Sequence, residues 1–300
     1  MGHVRRSDWT VLELLRWATG YLEGKGVTSP RLEAEVLLGH ALDLNRLGLY
    51  LHHDRPLCPE ELARFKPLLL KRAKGFPLQY ILGETEFFGV TIRIRPPVFI
   101  PRPETEVLVE AVLERLKGED SPLIADVGTG SGNVAIALAK NLKGARIFAT
   151  EISPAALSLA QENAYVSDVS SRIDFLLGDL LSPLRSLKLP GGLDAVVSNP
   201  PYIPTGDLPG LPQEVRYEDR RALDGGEEGT CFHRRLAAES REFLRPGGLL
   251  AMEVGDGQAE MVAEILEGYG WDKVEVLEDL SGTERVVTAR KLEEDGWKGS

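Results

Sequence analysis

The chain has 300 residues, 43% of them hydrophobic, with 35 Lys and Arg against 46 Asp and Glu and a formal net charge of -11. Such a composition supports a packed core and excludes a disordered chain, and its acidity argues against a nonspecific nucleic-acid binder, which carries a basic stripe. No window approaches the ~20 apolar residues of a membrane span, and no apolar run follows Arg5 and Arg6 as it would in a signal peptide.

The expectation is therefore a soluble, cytoplasmic protein with no membrane partner. Cys58 and Cys231 lie far apart and in no metal-ligand spacing, as expected of reduced thiols, and no metal is expected. The charge is uneven. Residues 1–97 carry 14 basic against 11 acidic residues and the remainder 21 against 35, which suggests two domains, the N-terminal one better suited to an anionic partner.

From Trp9 to about Lys74 apolar residues recur at helical spacing. Val11, Leu12, Leu14, Leu15 and Ala18 mark one helix. Leu32, Ala34, Val36, Leu37, Leu38 and Ala41 mark a second, opened by Thr28-Ser29-Pro30, and a third runs from Cys58-Pro59 through Leu62, Phe65 and Leu68 to Arg72. This small bundle (1–80) holds no glycine-rich loop, acid pair or ligand cluster, so a binding or positioning role suits it better than chemistry. Around Pro77-Leu78-Gln79-Tyr80-Ile81 and on through Glu86-Phe87-Phe88-Gly89-Val90-Thr91-Ile92, aromatic and β-branched residues alternate with polar ones, predicting a β-hairpin linker (81–97). Pro101-Arg102-Pro103 then stiffens the approach to a helix over Val107–Leu116, leaving Phe99 and Arg102 on a rigid loop that either faces a ligand or is a packed linker.

Beyond Pro122 the pattern becomes strand, turn, helix, repeated to about residue 292, with 293–300 as a tail. Strands are expected at Leu123–Val127, Arg146–Thr150, Ile173–Leu177, Leu193–Ser198, Leu249–Val254, Val274–Leu277 and Arg285–Ala289. Helices are expected at Val134–Leu142, Pro154 to about Tyr165, Arg235–Leu244 and Gln258–Leu266. Strands separated by helices predict an α/β, doubly wound, mostly parallel, Rossmann-like seven-stranded sheet with ligands at the carboxyl ends of its central strands.

Two turns at those ends carry chemistry. Gly128-Thr129-Gly130-Ser131-Gly132 follows the first strand with Asp126 just upstream, and its alternate glycines let the backbone turn tightly and aim a helix N-terminus at a ligand. Glu151, about twenty residues on at the tip of the second strand, is placed to bind both hydroxyls of a ribose. Those features alone fit a nicotinamide dinucleotide as well, although the glycine spacing departs from the dinucleotide fingerprint. The other turn is Asn199-Pro200-Pro201-Tyr202, after the fourth strand. Its prolines remove backbone donors and fix φ, leaving either an ordinary rigid turn or a cup in which an Asn side chain and free carbonyls face the space above.

The glycine turn resembles that of the class I S-adenosylmethionine-dependent methyltransferases. The resemblance implies that Gly128, Thr129, Gly130, Ser131 and Gly132 hold the methionine part of the cofactor, that Glu151 with Ile152 holds the ribose, that Asp179 with Leu180 lies beside the adenine, and that Asn199, Phe99 and Arg102 also face the cofactor. Asn-Pro-Pro-Tyr at this position marks methylation of a nitrogen on an sp² carbon, a poor nucleophile because its lone pair is delocalised. If the Asn199 side-chain oxygen and the Pro200 carbonyl each accept one N–H, the lone pair is held in line with the methyl, and Tyr202 walls the planar group.

An adenine in DNA or RNA would need a basic groove and base flipping, whereas this part of the chain is strongly acidic, so a protein amide fits better. Pro77–Ile81, Phe87-Phe88-Gly89, Ile100–Glu106, Asp126–Gly132, Asn199–Tyr202, Ala222–Gly226 and Glu253-Val254-Gly255 occur together in order and resemble the HemK-type (PrmC) glutamine N5-methyltransferases. That resemblance implies transfer of a methyl group from S-adenosylmethionine to the glutamine of the Gly-Gly-Gln motif in bacterial peptide-chain release factors. Asn199, Pro200 and Tyr202 would be catalytic, Asn199–Tyr202 would bind the substrate, and no stable nucleic-acid binding is expected. Two positions depart from the pattern: Glu151 stands where Asp is as usual, and His233, where Tyr is expected, is read as a helix-surface residue beside Arg234 and Arg235, which are expected to pair with the acidic loop. A cofactor-binding scaffold with a silent methyltransferase domain is the non-enzymatic alternative.

Overall fold

The computed structural model describes residues 9–189 and 191–293. Residues 1–8, with Arg5 and Arg6, and 294–300, nearly all of the expected tail, lie outside these. The chain forms two compact units, one comprising residues up to Glu84 together with Pro212–Tyr217, the other Thr85–Leu211 and the chain from Glu218 onward.

The first unit is helical: α1 (Val11–Glu23), α2 (Pro30–Leu42), α3 (Arg46–Leu51), α4 (Pro59–Arg72) and α5 (Leu78–Leu82). A capping box opens α1, the Thr10 hydroxyl accepting the Glu13 amide at 3.3 Å while the Glu13 carboxylate accepts the Thr10 amide at 2.9 Å. Leu14, Leu15, Ala18 and Leu22 then bury against Leu37, Leu38, Phe65 and Leu69. The sequence pattern misses α3 because only Leu49 of its short face is buried while Leu47 and Leu51 stay exposed, so no periodic stripe exists. Residues 81 and 82, placed in the hairpin by the sequence, close the helix Leu78–Leu82 instead. Pro77 occupies the N-cap position, Gly83 ends the turn at φ 82°, and Ile81 joins the helical core, a tertiary contact that overrides local β-propensity. Residues 212–217 belong to this unit as well. Glu214 pairs with Arg72 at 3.0 Å, Gln213 donates to the Lys74 carbonyl, and the Tyr217 ring packs edge-on against Phe76 at 4.9 Å.

The second unit opens with a hairpin, β1 (Glu84–Phe87) and β2 (Val90–Arg93), whose two-residue loop, Phe88-Gly89, has positive φ at both positions as a tight hairpin requires. After α6 (Glu106–Arg115) come β3 (Leu123–Val127), α7 (Asn133–Asn141), β4 (Arg146–Glu151), α8 (Pro154–Val166), β5 (Ile173–Leu177), β6 (Leu193–Ser198), α9 (Cys231–Phe243), β7 (Leu244–Glu253), α10 (Ala259–Gly268), β8 (Asp272–Glu278) and β9 (Glu284–Arg290). The sheet order is β5-β4-β3-β6-β7-β9-β8, with β5 to β7 parallel and β9 and β8 antiparallel. The doubly wound, mostly parallel, Rossmann-like seven-stranded sheet expected from the sequence is what forms.

Two boundaries differ from expectation by more than two residues. α9 begins at Cys231 rather than Arg235, and β7 begins at Leu244 rather than Leu249, running through Pro246-Gly247-Gly248. There the Gly247 amide donates to the Lys291 carbonyl and the Lys291 amide to that of Gly248, both at 2.9 Å, so the strand finds partners and does not reverse. Both β3 and β6 are almost wholly buried, so their apolar runs are continuous rather than alternating.

Asn163 of α8 binds the hairpin to this sheet. Its side chain accepts the Arg93 amide at 3.0 Å and donates to the carbonyls of Arg93 (3.1 Å) and Ser131 (2.9 Å), using its full amide in place of a neighbouring strand. Replacing it by Leu leaves three backbone groups without partners. Asn163→Leu is expected to lower the unfolding free energy by about 3 kcal/mol, read from the urea midpoint.

Candidate functional site

The chain winds outward from β3 to β4 and β5, then returns to lay β6 on the other side of β3, so the strand order reverses between β3 and β6. Their register pairs Val127 with Ser198, and the Ser198 hydroxyl donates to the Val127 carbonyl at 2.7 Å. The next residue on each strand is therefore Gly128 on one side and Asn199 on the other. The glycine turn and the Asn-Pro-Pro-Tyr turn leave the sheet side by side.

Asp126 builds the glycine turn from below. Its buried carboxylate accepts the Thr129 hydroxyl at 2.6 Å and the Ala135 amide at 3.1 Å, joining the turn to the first helical turn of α7. Burial raises its pKa to about 6, against the pull of those two donors and with a further push from the Glu151 charge. Gly128, Gly130 and Gly132 all have positive φ. Above Gly128 a Cβ would meet nothing within 4 Å, whereas one on Gly132 would press on Ala160 of α8 at 3.0 Å. One glycine thus leaves room for a ligand and another permits close packing of helix on helix.

Glu151 is 9% exposed, and one carboxylate oxygen accepts the Gly130 amide at 2.9 Å, the other the Ser153 amide at 2.8 Å. The carboxylate is fixed, and each oxygen keeps acceptor capacity for one hydroxyl of a diol. Ile152 beside it is half exposed. Asp179 does not stand free: Arg235 of α9 grips both its oxygens, at 2.7 and 3.3 Å, and also reaches Glu239. Leu180 follows at φ 44°, a left-handed conformation unusual for a side-chain-bearing residue, which marks this corner as constrained by its surroundings.

On the other flank, Phe99 lies under the Arg102 guanidinium, 4.9 Å from its ring centroid. Glu218 holds that arrangement, one oxygen on Arg102 and the other accepting the Ile100 amide at 3.1 Å. Asn199 is partly buried, and its Nδ2 donates to the Thr105 hydroxyl oxygen at 3.0 Å, so Oδ1 is the end left unused by Thr105. Among the described residues no donor reaches the Pro200 carbonyl. The chain beyond is tied down. Gln258 donates to the Tyr202 carbonyl at 2.9 Å, Ile203 and Gly225 exchange hydrogen bonds with the 223–225 segment and Ile203, and a Cβ on Gly225 would meet the Tyr202 backbone at 2.7 Å.

The Tyr202 hydroxyl points to Glu253 at 3.4 Å, and burial raises the tyrosine pKa, with the nearby carboxylate adding to the rise. Burial likewise pushes Glu253 up to about 7, while the neighbouring Thr105 and Tyr202 hydroxyls and the charge of Arg285 pull it down.

His233 requires a correction. It is fully buried, with Nε2 2.9 Å from the Glu253 carbonyl, and burial lowers its pKa. The earlier start of α9 places it on the inner face of that helix. Arg234 pairs with Glu228 of the acidic loop at 3.3 Å, as expected, whereas Arg235 turns to Asp179 and Glu239. Sequence reasoning missed Thr105, Glu218 and Glu253 as members of the site. All three are buried polar side chains, and Thr105 and Glu253 lie within motifs that the sequence displays.

The N-terminal domain model of PrmC matches residues 13–83, and the methyltransferase small domain model matches residues 94–209. A release factor glutamine methyltransferase from Moorella thermoacetica is 48% identical over 286 residues, spanning 95% of this chain and all of that protein. One from Geobacter sulfurreducens is 46% identical over 94% of this chain and 97% of its own length. This chain belongs to the release factor glutamine methyltransferase family. A methyltransferase from Pyrococcus furiosus, 18% identical, shares the fold over 77% of this chain and 99% of its own, with a TM-score of 0.51.

The buried Asp126 gives stability a signed pH dependence. With its pKa raised in the folded state, it stabilises fully below its unfolded value near 4, and that contribution is lost as pH rises through about 6. Relative to the unsubstituted protein, Asp126→Asn should therefore gain about 2–3 kcal/mol between pH 4 and pH 7, measured by urea unfolding at both.

Proposed function

We propose that this protein transfers a methyl group from S-adenosylmethionine to the side-chain amide nitrogen of the glutamine in the Gly-Gly-Gln motif of a bacterial peptide-chain release factor. The observation that carries the reading is the Asn199 amide, anchored through Nδ2 to Thr105 so that Oδ1 is left as an acceptor, beside a Pro200 carbonyl that no described residue occupies. Two acceptors so placed match the two N–H groups of a primary amide.

The donor fits the residues present. The open space over Gly128 accommodates a ligand against the turn, the α7 N-terminus suits its carboxylate, and the fixed Glu151 oxygens suit a ribose diol. Ile152 and Leu180 offer apolar surface for an adenine. Asp179 contributes an oxygen there while held by Arg235. Bound in this place, S-adenosylmethionine supplies a methyl carbon made electrophilic by its sulfonium.

Asn199 and Pro200 hold both amide protons of the glutamine. That fixes the nitrogen and favours the charge distribution in which its lone pair is available. Tyr202, kept protonated by its burial, presents a flat ring as a wall for the planar amide. Phe99 and Arg102, locked by Glu218, shape the opposite side. The proton that the amide gives up on methylation leaves after the new N–C bond forms, so a strong base is not required beforehand.

The helical unit is the release-factor-binding element in this reading, and residues 1–97, which include its helices, carry a small basic excess against the acidity of the rest. The acidic balance around the site opposes a nucleic-acid substrate, and the protein acts in the cytoplasm, where release factors work. Among the described residues no helix is long and apolar enough to cross a membrane.

Incubation with methyl-labelled S-adenosylmethionine and either a release factor or duplex DNA tests the function. Label on the release-factor glutamine is expected. Label on DNA alone would overturn it, and no label on either would favour a scaffold. Asn199→Ala should lower kcat by at least about a hundredfold with cofactor affinity within about twofold of the unsubstituted protein. Glu151→Gln should do the reverse, weakening S-adenosylhomocysteine about 10- to 100-fold by calorimetry, since a charged acceptor for the diol is replaced by a neutral one.

A further inference from the structure

Asn199 can serve as an acceptor only if its amide faces the substrate oxygen-first. Its two ends have nearly the same shape, so orientation must be enforced by a neighbour that tolerates one end and not the other. The neighbour is Thr105, 3.0 Å from Nδ2 and itself 1% exposed. A threonine hydroxyl alone does not discriminate, because it both donates and accepts. What it offers Asn199 depends on where its single proton goes.

The acceptor beside it is the Glu253 carboxyl. The carboxyl is 2% exposed at the carboxyl end of β7, its Oε2 has no hydrogen-bond partner among the described residues, and its Oε1 has only the Tyr202 hydroxyl at a long 3.4 Å, so it is the buried acceptor still in want of a donor, and the Thr105 hydroxyl is the neighbour with a proton to give. With its proton given to Glu253, the Thr105 oxygen can only accept, and only the NH₂ end of Asn199 satisfies it. From behind, the buried His233 ring bonds to the Glu253 carbonyl and fixes the backbone from which the carboxyl projects.

We infer that Glu253 and Thr105 form a polarity relay that sets the direction of the Asn199 amide, making both positioning residues for the amide-binding step. The inference rests on the function proposed above only for its kinetic arm. The other groups facing the carboxyl are Tyr202 from the loop after β6, Arg285 of β9 and Glu104 of the turn before α6, the arginine favouring the ionised form and the glutamate opposing it. Protonating Glu253 turns it from acceptor to donor. The Thr105 proton is then free to swing toward Asn199, which presents its oxygen to Thr105 and its NH₂ to the substrate, so the acceptor is lost.

Three variants test the relay: Thr105→Val, which removes the hydroxyl at nearly constant shape, Thr105→Ser, which keeps it, and Glu253→Gln, which cannot ionise. The unsubstituted protein should show kcat falling below about pH 7. Thr105→Val should lower kcat about 30- to 100-fold at pH 8, with cofactor affinity and the release-factor KM each within about twofold. Thr105→Ser should restore most of it, and both Thr105→Val and Glu253→Gln should lose the acid limb. Independently of turnover, the side-chain NH₂ signals of Asn199 in ¹H–¹⁵N spectra, assigned by their absence in Asn199→Ala, should shift between pH 6 and 8 and cease to do so in Glu253→Gln. Full kcat in Thr105→Val, or an acid limb and an NH₂ titration that persist in Glu253→Gln, would overturn the relay. Lack of glutamine methylation by the unsubstituted protein would instead overturn the proposed function, with the NH₂ titration still deciding the relay.

Discussion

The pairing of β3 with β6 is the constraint on which the rest depends. Because Val127 stands opposite Ser198 in a parallel register, the glycine turn and the Asn-Pro-Pro-Tyr turn emerge at one level and on adjacent strands. A slip of one residue would turn one of the two turns toward the opposite face of the sheet. The Ser198 hydroxyl on the Val127 carbonyl reinforces the pairing at its last rung, where the ladder would otherwise fray. The two turns that carry the proposed chemistry hang from those two strand ends.

Rigidity at the site comes from buried polar side chains more than from apolar packing. Asp126, Asn163, Glu151 and Glu218 each spend their oxygens or amide on backbone groups or on another site residue. Asp126 and Glu253 have pKa values shifted toward neutrality, which is the energetic cost of holding carboxyls away from water. Their donors offset only part of it. Such groups are expected where geometry matters more than stability.

Much of this was legible in the sequence. The apolar runs of β3 and β6, the alternate glycines and the paired prolines each impose a local conformation, and their order along the chain implies the doubly wound sheet. What stayed hidden has a common physical origin in contacts between distant residues. Glu218 is one more acid in an acidic loop until Arg102 and the Ile100 amide meet it across more than a hundred residues. His233 looks like a surface residue as long as α9 is thought to start at Arg235. Starting the helix at Cys231 makes it a core residue bonded to β7. Local propensity assigns Ile81 and Leu82 to the hairpin, and burial of Ile81 in the helical core makes them the end of a helix.

The return of residues 212–217 to the helical unit means that this unit is discontinuous in sequence. Arg72 is mostly buried and divides its guanidinium between Glu33 of its own segment and Glu214 of the distant one. A fragment cut at residue 84 would retain every helix of the bundle yet lack the second counter-ion and the aromatic cover that Tyr217 gives Phe76. The boundary of the smallest self-sufficient piece is therefore set by a charge needing neutralisation, and no single cut in the chain can respect it.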